Sequence, residues 1–191
     1  MNFKLHDAPI NGVFIIEPVA YSDNRGYFLE LYNQKTLFDL GFTTPFVQDN
    51  FSISNKGVLR GLHYQIRHPQ GKLVKAVRGA IFDIGVDLRI GSPTYLKWFG
   101  LLLSSENHKM LYFPGEFAHG FLALSDSAEV FFKCTDYYYP EFFTGIVWND
   151  ENINVEWPLE QYGIRNVILS ESDNALKQIS EVNIPFIFEH K

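Results

Sequence analysis

The segment Ala80-Ile81-Phe82-Asp83-Ile84-Gly85-Val86-Asp87-Leu88 decides the fold class, because its side chains alternate in character with a period of two. Such alternation is typical of a β-strand, in which successive side chains point to opposite faces. It divides the segment into one face with Ile81, Asp83, Gly85 and Asp87 and a second face, expected to form core, with Phe82, Ile84, Val86 and Leu88.

Similar short apolar runs with turn residues between them recur on both sides of this segment, as an all-β barrel or sandwich requires. Helix is scarce: residues 35–41 are able to form two turns that end at Gly41, and a second short helix is expected near Ser170. The predicted strands span residues 12–21, 27–32, 47–54, 57–66, 72–77, 80–87, 97–104, 110–113, 120–125 and 128–137.

Composition predicts one well-packed domain over residues 1–191, because 46% of the residues are apolar and no repeat or linker divides the chain. The net charge of −6 argues against a general nucleic-acid binder. The apolar runs are too short for a membrane span, and no secretory signal is visible at the N-terminus, so we expect a cytoplasmic protein. The single cysteine, Cys134, excludes an intrachain disulfide, and no Cys-His metal spacing is present.

The segment Gly57-Val58-Leu59-Arg60-Gly61-Leu62-His63-Tyr64-Gln65 indicates function, because it places an arginine and a histidine three residues apart on a predicted strand. Residues three apart point to opposite faces unless a bulge intervenes, and Gly61 is able to mark one. An anion-binding cation beside a proton-transfer base predicts an enzyme that acts on a phosphorylated metabolite, although a lone histidine in a strand is more often structural.

The segment Ser170-Glu171-Ser172-Asp173 has the spacing of a capping box, with Asp in place of the usual Glu. From local sequence alone, Asp173 is better explained as a helix-capping residue than as a catalytic one.

The chain from Gly12 to Ala175 resembles the dTDP-4-dehydrorhamnose 3,5-epimerases and related sugar-nucleotide epimerases. The resemblance implies a cupin-like jelly-roll barrel with a few short peripheral helices, a homodimer in which an N-terminal strand crosses to the partner, and no metal or other cofactor. The motifs that carry it are Asp23–Phe28, Phe46–Asn50, Val58–Gln65, Gln70–Val74, Gly91–Thr94, Leu103–Asn107, Pro114–Phe121, Thr135–Pro140, Trp148–Asp150 and Leu169–Asp173.

The resemblance also implies the chemistry. The substrate is a nucleoside-diphospho-4-keto-6-deoxy sugar, whose C4 ketone acidifies the protons on C3 and C5. His63 is the expected base, since the ordinary pKa of histidine is about 6.5. Asp173 pairs with His63 and so gains a catalytic role beside its capping role, while Lys72 stabilises the negative charge that develops on the C4 oxygen.

The remaining implied residues bind substrate. Arg25 and Arg60 grip the diphosphate, for which a planar guanidinium is well suited. Tyr138 stacks or hydrogen-bonds at the nucleotide end, and His119 contacts substrate or is structural. The expected contacts to the base, the sugar or the pocket wall are Phe28, Glu30, Gln48, Asn50 and Phe132.

Two positions depart from the family pattern. Family members carry a tyrosine as the second proton donor just before a lysine, whereas this chain has Phe132 before Lys133. We therefore expect inversion at C3, with inversion at C5 left open and with water, Tyr138 or another group as the donor. Ser172 replaces the usual basic residue before the catalytic Asp, which leaves the carrier (dTDP or GDP) and the sugar length (hexose or heptose) open. A non-catalytic sugar-nucleotide binder and a 3,4-ketoisomerase remain alternatives.

Overall fold

The computed structural model describes residues 2–189, and within them strands dominate. No helix in this range is long and apolar enough to cross a membrane. The helices are α1 (Gln34–Asp39) and α2 (Glu171–Asn174), with 3₁₀ turns at Pro140–Phe142 and Ile179–Glu181. The strands are β1 (Phe3–Asp7), β2 (Phe14–Pro18), β3 (Ala20–Asp23), β4 (Gly26–Leu29), β5 (Gln48–Asn55), β6 (Leu59–Gln65), β7 (Lys72–Arg78), β8 (Ala80–Asp87), β9 (Trp98–Ser104), β10 (Met110–Phe113), β11 (Phe117–Ala123), β12 (Ser127–Cys134) and β13 (Phe143–Gly145).

Two antiparallel sheets pack face to face as a jelly roll, which confirms the predicted all-β cupin-like class. One sheet has the strand order β1-β2-β10-β7-β12-β5, and the other has the order β13-β6-β11-β8-β9. A separate two-stranded hairpin joins β3 to β4. The apolar cluster between the sheets includes Val74, Ile81, Phe113 and Phe121, all nearly inaccessible to solvent.

The predicted strands agree with the structure apart from a few boundaries. The predicted strand over residues 12–21 is two strands, since β2 ends at Pro18 and β3 begins at Ala20. Strand β11 begins at Phe117, three residues before the predicted start at residue 120. Strands β1 and β13 were missed, because β1 mixes charged and apolar residues and β13 has only three residues.

Strand β8 is buried on both faces, whereas the sequence predicted that only the face with Phe82, Ile84, Val86 and Leu88 would form core. Ile84, Val86 and Leu88 pack beneath the C-terminal part of the chain. The opposite face points between the sheets, where Asp83 and Asp87 have no solvent exposure. Asp87 is paired by the Arg89 guanidinium through two bonds of 2.8 Å. Because β8 faces a core on each side, its buried carboxylates need hydrogen-bonding or charged partners, and Asp83 has such a partner in His119.

The outer face of the six-stranded sheet is only partly covered. Helix α1 and its flanking loops cover the end of the sheet near Leu73 and Tyr112. The other end is open: Phe51 and Ile53 on the edge strand β5 are 56% and 58% exposed. Phe51 lies opposite Phe131 of β12, so these side chains form an apolar patch on that face.

Candidate active site

A β-bulge in β6 brings Arg60 and His63 to the same cavity, as the glycine between them predicted. Opposite β11, His63 pairs with His119 and Arg60 pairs with Phe121, so two residues of β6 face a single residue of β11. Gly61 has a φ of +122°, and a Cβ atom there would lie 2.6 Å from the Cα of Gly120. Only glycine fits this close approach between the two strands.

The cavity has a volume of about 530 Å³. Both sheets and the segment around α2 contribute to its wall, which gathers residues that are far apart in the sequence. Nine of the predicted site residues line it: Gln48, Asn50, Arg60, His63, Lys72, His119, Phe132, Tyr138 and Asp173.

His63 and Asp173 form a hydrogen-bonded pair in this cavity, through His63 Nε2 and Asp173 Oδ1. The side chains are 20% and 6% exposed, respectively. Asp173 also lies at the start of α2, where its backbone N–H donates to Ser170 Oγ at 3.0 Å. Ser170 therefore caps the helix as predicted, while the Asp173 carboxylate bonds to His63. Ser170 supplies the cap and the Asp173 side chain supplies the pairing, so the capping role predicted for Asp173 itself is not observed.

The charge state of Asp173 suits this pairing. Burial acts to raise the pKa of Asp173, but hydrogen bonds with His63 and Ser170 and the nearby charge of Arg60 hold it below its ordinary value. The carboxylate is therefore ionised at neutral pH and able to stabilise a protonated imidazole. Arg60 is fixed by bonds from Nε to Ser54 Oγ (3.1 Å) and from its terminal nitrogen to Ile53 O (3.3 Å).

His119 forms a second histidine–aspartate pair, with Nε2 2.7 Å from Asp83 Oδ1. Burial raises the pKa of Asp83 against the opposing influence of His119 and Lys72, and burial lowers the pKa of His119. Burial also lowers the pKa of Lys72, which Cys134 and Asp83 oppose. The second oxygen of Asp83, Oδ2, is buried without a hydrogen-bond partner among the described residues. Asp83, His119 and Lys72 thus influence one another's protonation, and His119 and Lys72 line the cavity.

A chain of hydrogen bonds orients the amide side chains on the opposite wall. The Tyr138 N–H donates to Gln48 Oε1 at 2.9 Å, and Gln48 Nε2 donates to Asn50 Oδ1 at 3.0 Å. Asn50 Nδ2 then donates to Cys134 Sγ at 3.4 Å. Both amides accept within the wall and retain a further N–H, so this surface offers donors to an acceptor group on a ligand.

Phe132 occupies the cavity wall without a hydroxyl group, and other rings surround it. Phe121 and Phe143 also line the cavity. Phe143 packs against His63 with 4.8 Å between ring centroids, and Tyr138 packs edge-on against Phe143 at 5.5 Å. The tyrosine nearest in sequence to Phe132 that lines this cavity is Tyr138.

Three predicted residues lie away from this cavity. Arg25, Phe28 and Glu30 belong to the β3–β4 hairpin and the residue after it, and Phe28 is 71% exposed. Arg25 bonds to Asp23 through Nε at 3.0 Å. The Glu30 carboxylate accepts from Asn2 and Asn33 at 3.0 and 2.9 Å. Within one chain, the structure does not bring these residues to His63.

Several cavity residues were not predicted from the sequence. Asp83, which bonds to the cavity residue His119, had a signal, since it is a carboxylate whose neighbours along the strand are apolar or small. Gln70 lies in one of the motifs that carry the family resemblance but was given no role. Phe143 had no signal, because it lies on the three-residue strand β13, whose place beside β6 depends on the assembled sheet. No cluster of three or more His, Cys, Asp or Glu side chains placed to hold a metal ion occurs among residues 2–189.

Known proteins resemble this chain in sequence and in fold. A family profile described as dTDP-4-dehydrorhamnose 3,5-epimerase matches residues 7–181. The chain is 49% identical over 179 residues to the enzyme of that name from Methanothermobacter thermautotrophicus, covering 94% of this chain and 96% of the relative.

Two solved structures extend the comparison. The Legionella pneumophila dTDP-6-deoxy-D-glucose-3,5-epimerase, in complex with dTDP-4-keto-L-rhamnose, superimposes with a TM-score of 0.93 at 43% identity, covering 98% of this chain and 100% of that one. A 3'-monoepimerase from Streptomyces bikiniensis, in complex with dTDP-quinovose, gives 0.83 at 31% identity, with 92% and 87% covered. The chain belongs to the dTDP-4-dehydrorhamnose 3,5-epimerase family and is an isomerase.

Proposed function

We propose that this protein inverts C3, and not C5, of a dTDP-4-keto-6-deoxy hexose by removing and returning a proton through an enolate. The observation that carries the proposal is the His63–Asp173 pair in a cavity where Phe132 replaces the second proton donor. The dTDP carrier is inferred from the solved relatives, whose bound ligands are dTDP compounds.

The first step is removal of the C3 proton by His63. Since Asp173 is ionised and bonds to His63 Nε2, the neutral imidazole carries its proton on Nε2 and the lone pair on Nδ1. His63 Nδ1 takes the C3 proton, the C–H electrons form the C3–C4 double bond, and the carbonyl electrons move to the C4 oxygen. Asp173 stabilises the resulting imidazolium.

The enolate oxygen then needs a positive or hydrogen-bonding environment. We assign this role to Lys72, a cavity residue whose pKa is lowered by burial against the opposing influence of Cys134 and Asp83, and whose amino group donates a hydrogen bond in either charge state; His119 contacts the substrate beside it. Inversion requires a proton on the opposite face of C3. Phe132 is unable to supply it, and Tyr138 and water are the two donors that we propose to test.

Solvent deuterium tests the proposal. Incubation with dTDP-4-keto-6-deoxy-glucose in deuterium oxide should place label on C3 of the inverted product, with C5 keeping hydrogen, as read by NMR. His63→Asn should incorporate no label, and Tyr138→Phe should slow inversion only if Tyr138 is the donor. Tight dTDP binding without any exchange would instead support a non-catalytic binder, and a product with its carbonyl at C3 would support a ketoisomerase.

We also propose that two chains form a homodimer in which the β3–β4 hairpin of each protomer reaches the cavity of its partner. The support is the separation of Arg25, Phe28 and Glu30 from the cavity of their own chain, together with the exposed Phe51 and Ile53. In such a dimer Arg25 joins Arg60 at the diphosphate, Glu30 faces the nucleotide, and the apolar patch is covered.

Complementation tests the hairpin exchange. Arg25→Ala and His63→Asn should each be inactive alone. Co-refolding of the two variants should restore activity, because about half of randomly formed dimers are mixed and each mixed dimer contains one intact site. A mixture as inactive as its components, with mixed dimers present by mass spectrometry, would contradict the exchange.

A further inference from the structure

Gln65 is a buried polar side chain close to the cavity but not part of its wall. It is 1% exposed and lies on β6, two residues beyond His63. Alternate residues share one face of a strand, so Gln65 lies on the same face as His63, about 7 Å further along. A buried amide at such a position requires partners for its donors and its acceptor.

Those partners are the backbones of two different loops. Gln65 Nε2 donates to His68 O at 2.6 Å and to Tyr137 O at 3.2 Å. Its Oε1 accepts from the Tyr139 N–H at 2.8 Å. The orientation of the amide is fixed, since a flipped amide would place its oxygen against two carbonyl groups.

The two loops held by Gln65 both contribute to the cavity wall. Tyr138 lies between the two peptide groups that bond to Gln65, and its own N–H donates to Gln48. The other loop carries Gln70, which also lines the cavity and donates to Asp136 O at 2.8 Å. The backbone on both sides of Tyr138 is therefore fixed by side chains, while Tyr138 itself is 48% exposed.

We propose that Gln65 is a positioning residue for nucleotide binding, which holds the Tyr138 wall in its binding conformation without touching substrate. The proposal rests on the proposed function. Without the Gln65 amide, three backbone groups lose their partners and the loop has to rearrange toward water. Nucleotide binding would then include the cost of ordering this loop, whereas proton removal by His63 at saturating substrate would be unaffected.

The test compares Gln65→Leu and Gln65→Glu with the wild type, using dTDP in calorimetry at pH 5 to 9 and steady-state kinetics with the 4-keto sugar nucleotide. Gln65→Leu should raise the Kd for dTDP and KM roughly 10-fold. Tyr64→Phe is the matched control, because Tyr64 is buried on the opposite face of the same strand; its Kd should equal that of the wild type.

Gln65→Glu separates positioning from simple packing. Its carboxyl group accepts from Tyr139 in either charge state, but only the protonated form donates to a carbonyl, and the ionised form faces two carbonyl oxygens. Its Kd relative to wild type should therefore rise with pH, whereas the ratio for Gln65→Leu should stay flat. Wild-type Kd for folded Gln65→Leu, or a flat ratio for Gln65→Glu, would overturn the proposal. Wild-type protein that fails to bind dTDP would remove the proposed function and this proposal with it.

Discussion

Two histidine–aspartate pairs lie on neighbouring strands of one sheet, yet their surroundings give them opposite properties. His63 and His119 are register partners on β6 and β11, and each bonds through Nε2 to Oδ1 of an aspartate. The pKa of Asp173 is lowered by its hydrogen bonds with His63 and the capping residue Ser170 and by the nearby charge of Arg60. Burial instead raises the pKa of Asp83. The first pair is therefore suited to taking up a proton, while the second holds a neutral histidine in place.

The largest effect that would separate the two pairs is expected from His63→Asn. Asparagine keeps a hydrogen-bonding group but is unable to accept a proton, so the rate of inversion should fall by on the order of 10²–10⁴. Steady-state kinetics measures this, with the exposed His6→Asn as a control that should retain full activity. A near-normal rate would show that His63 is not the base.

Asp173→Asn should be the next largest change. The amide is unable to stabilise a protonated imidazole, and it no longer favours the tautomer with the lone pair on Nδ1, so the rate should fall by about 10². Solvent exchange at C3, measured by NMR, should fall in parallel with the rate of inversion. A loss of substrate affinity with unchanged exchange at saturation would assign Asp173 to binding instead.

Asp83→Asn should have a smaller effect on rate. An Asn oxygen still accepts from His119 Nε2, so the histidine keeps its orientation and the rate should stay within about 10-fold of wild type. Steady-state kinetics alongside Asp173→Asn gives the comparison directly. A greater loss of rate for Asp83→Asn than for Asp173→Asn would reverse the roles that we assign to the two pairs.

The two aspartates should also give stability opposite dependences on pH. Asp173 has a lowered pKa in the folded state, so its contribution is present above the unfolded value of about 3.9 and is lost as pH falls through the folded pKa. Asp83 has a raised pKa, so the folded protein holds its proton longer and stability falls as pH rises above about 3.9.

Urea unfolding between pH 2 and 7 of the Asp173→Asn and Asp83→Asn variants measures these contributions. In the wild type, Asp173 should make the free energy of unfolding rise as pH increases towards about 4, and Asp173→Asn should remove that rise. Asp83 should make the free energy of unfolding fall as pH increases above about 4, and Asp83→Asn should remove that fall. The contrast between the two aspartates would be contradicted if the difference in the free energy of unfolding between variant and wild type changed with pH in the same direction for both variants.

The sequence predicted the first pair better than the second for a physical reason. The alternation in residues 80–88 identified the strand but not its second core, because a carboxylate on a strand normally indicates a solvent-facing side. Asp83 is buried since β8 is covered on both sides, which only the packed sheets reveal. The pairing of His63 with Asp173, 110 residues apart, was reached through family resemblance and not from local sequence.

The β3–β4 hairpin shows a different limit of prediction from sequence. Its motif predicted substrate contacts for Arg25, Phe28 and Glu30, but residues of one chain do not reveal whether a hairpin serves its own cavity or a neighbour's. By contrast, the bulge at Gly61 was predictable, because a glycine inside a strand often marks a bulge or a close approach of two backbones.

The most direct test of the account is the position of deuterium in the product. We predict label at C3 and hydrogen at C5 for the wild type, and label at both carbons for Phe132→Tyr, which restores a phenol in the cavity. Label at C5 in the wild-type product would contradict the central claim that the chain carries a proton-transfer pair for one carbon only.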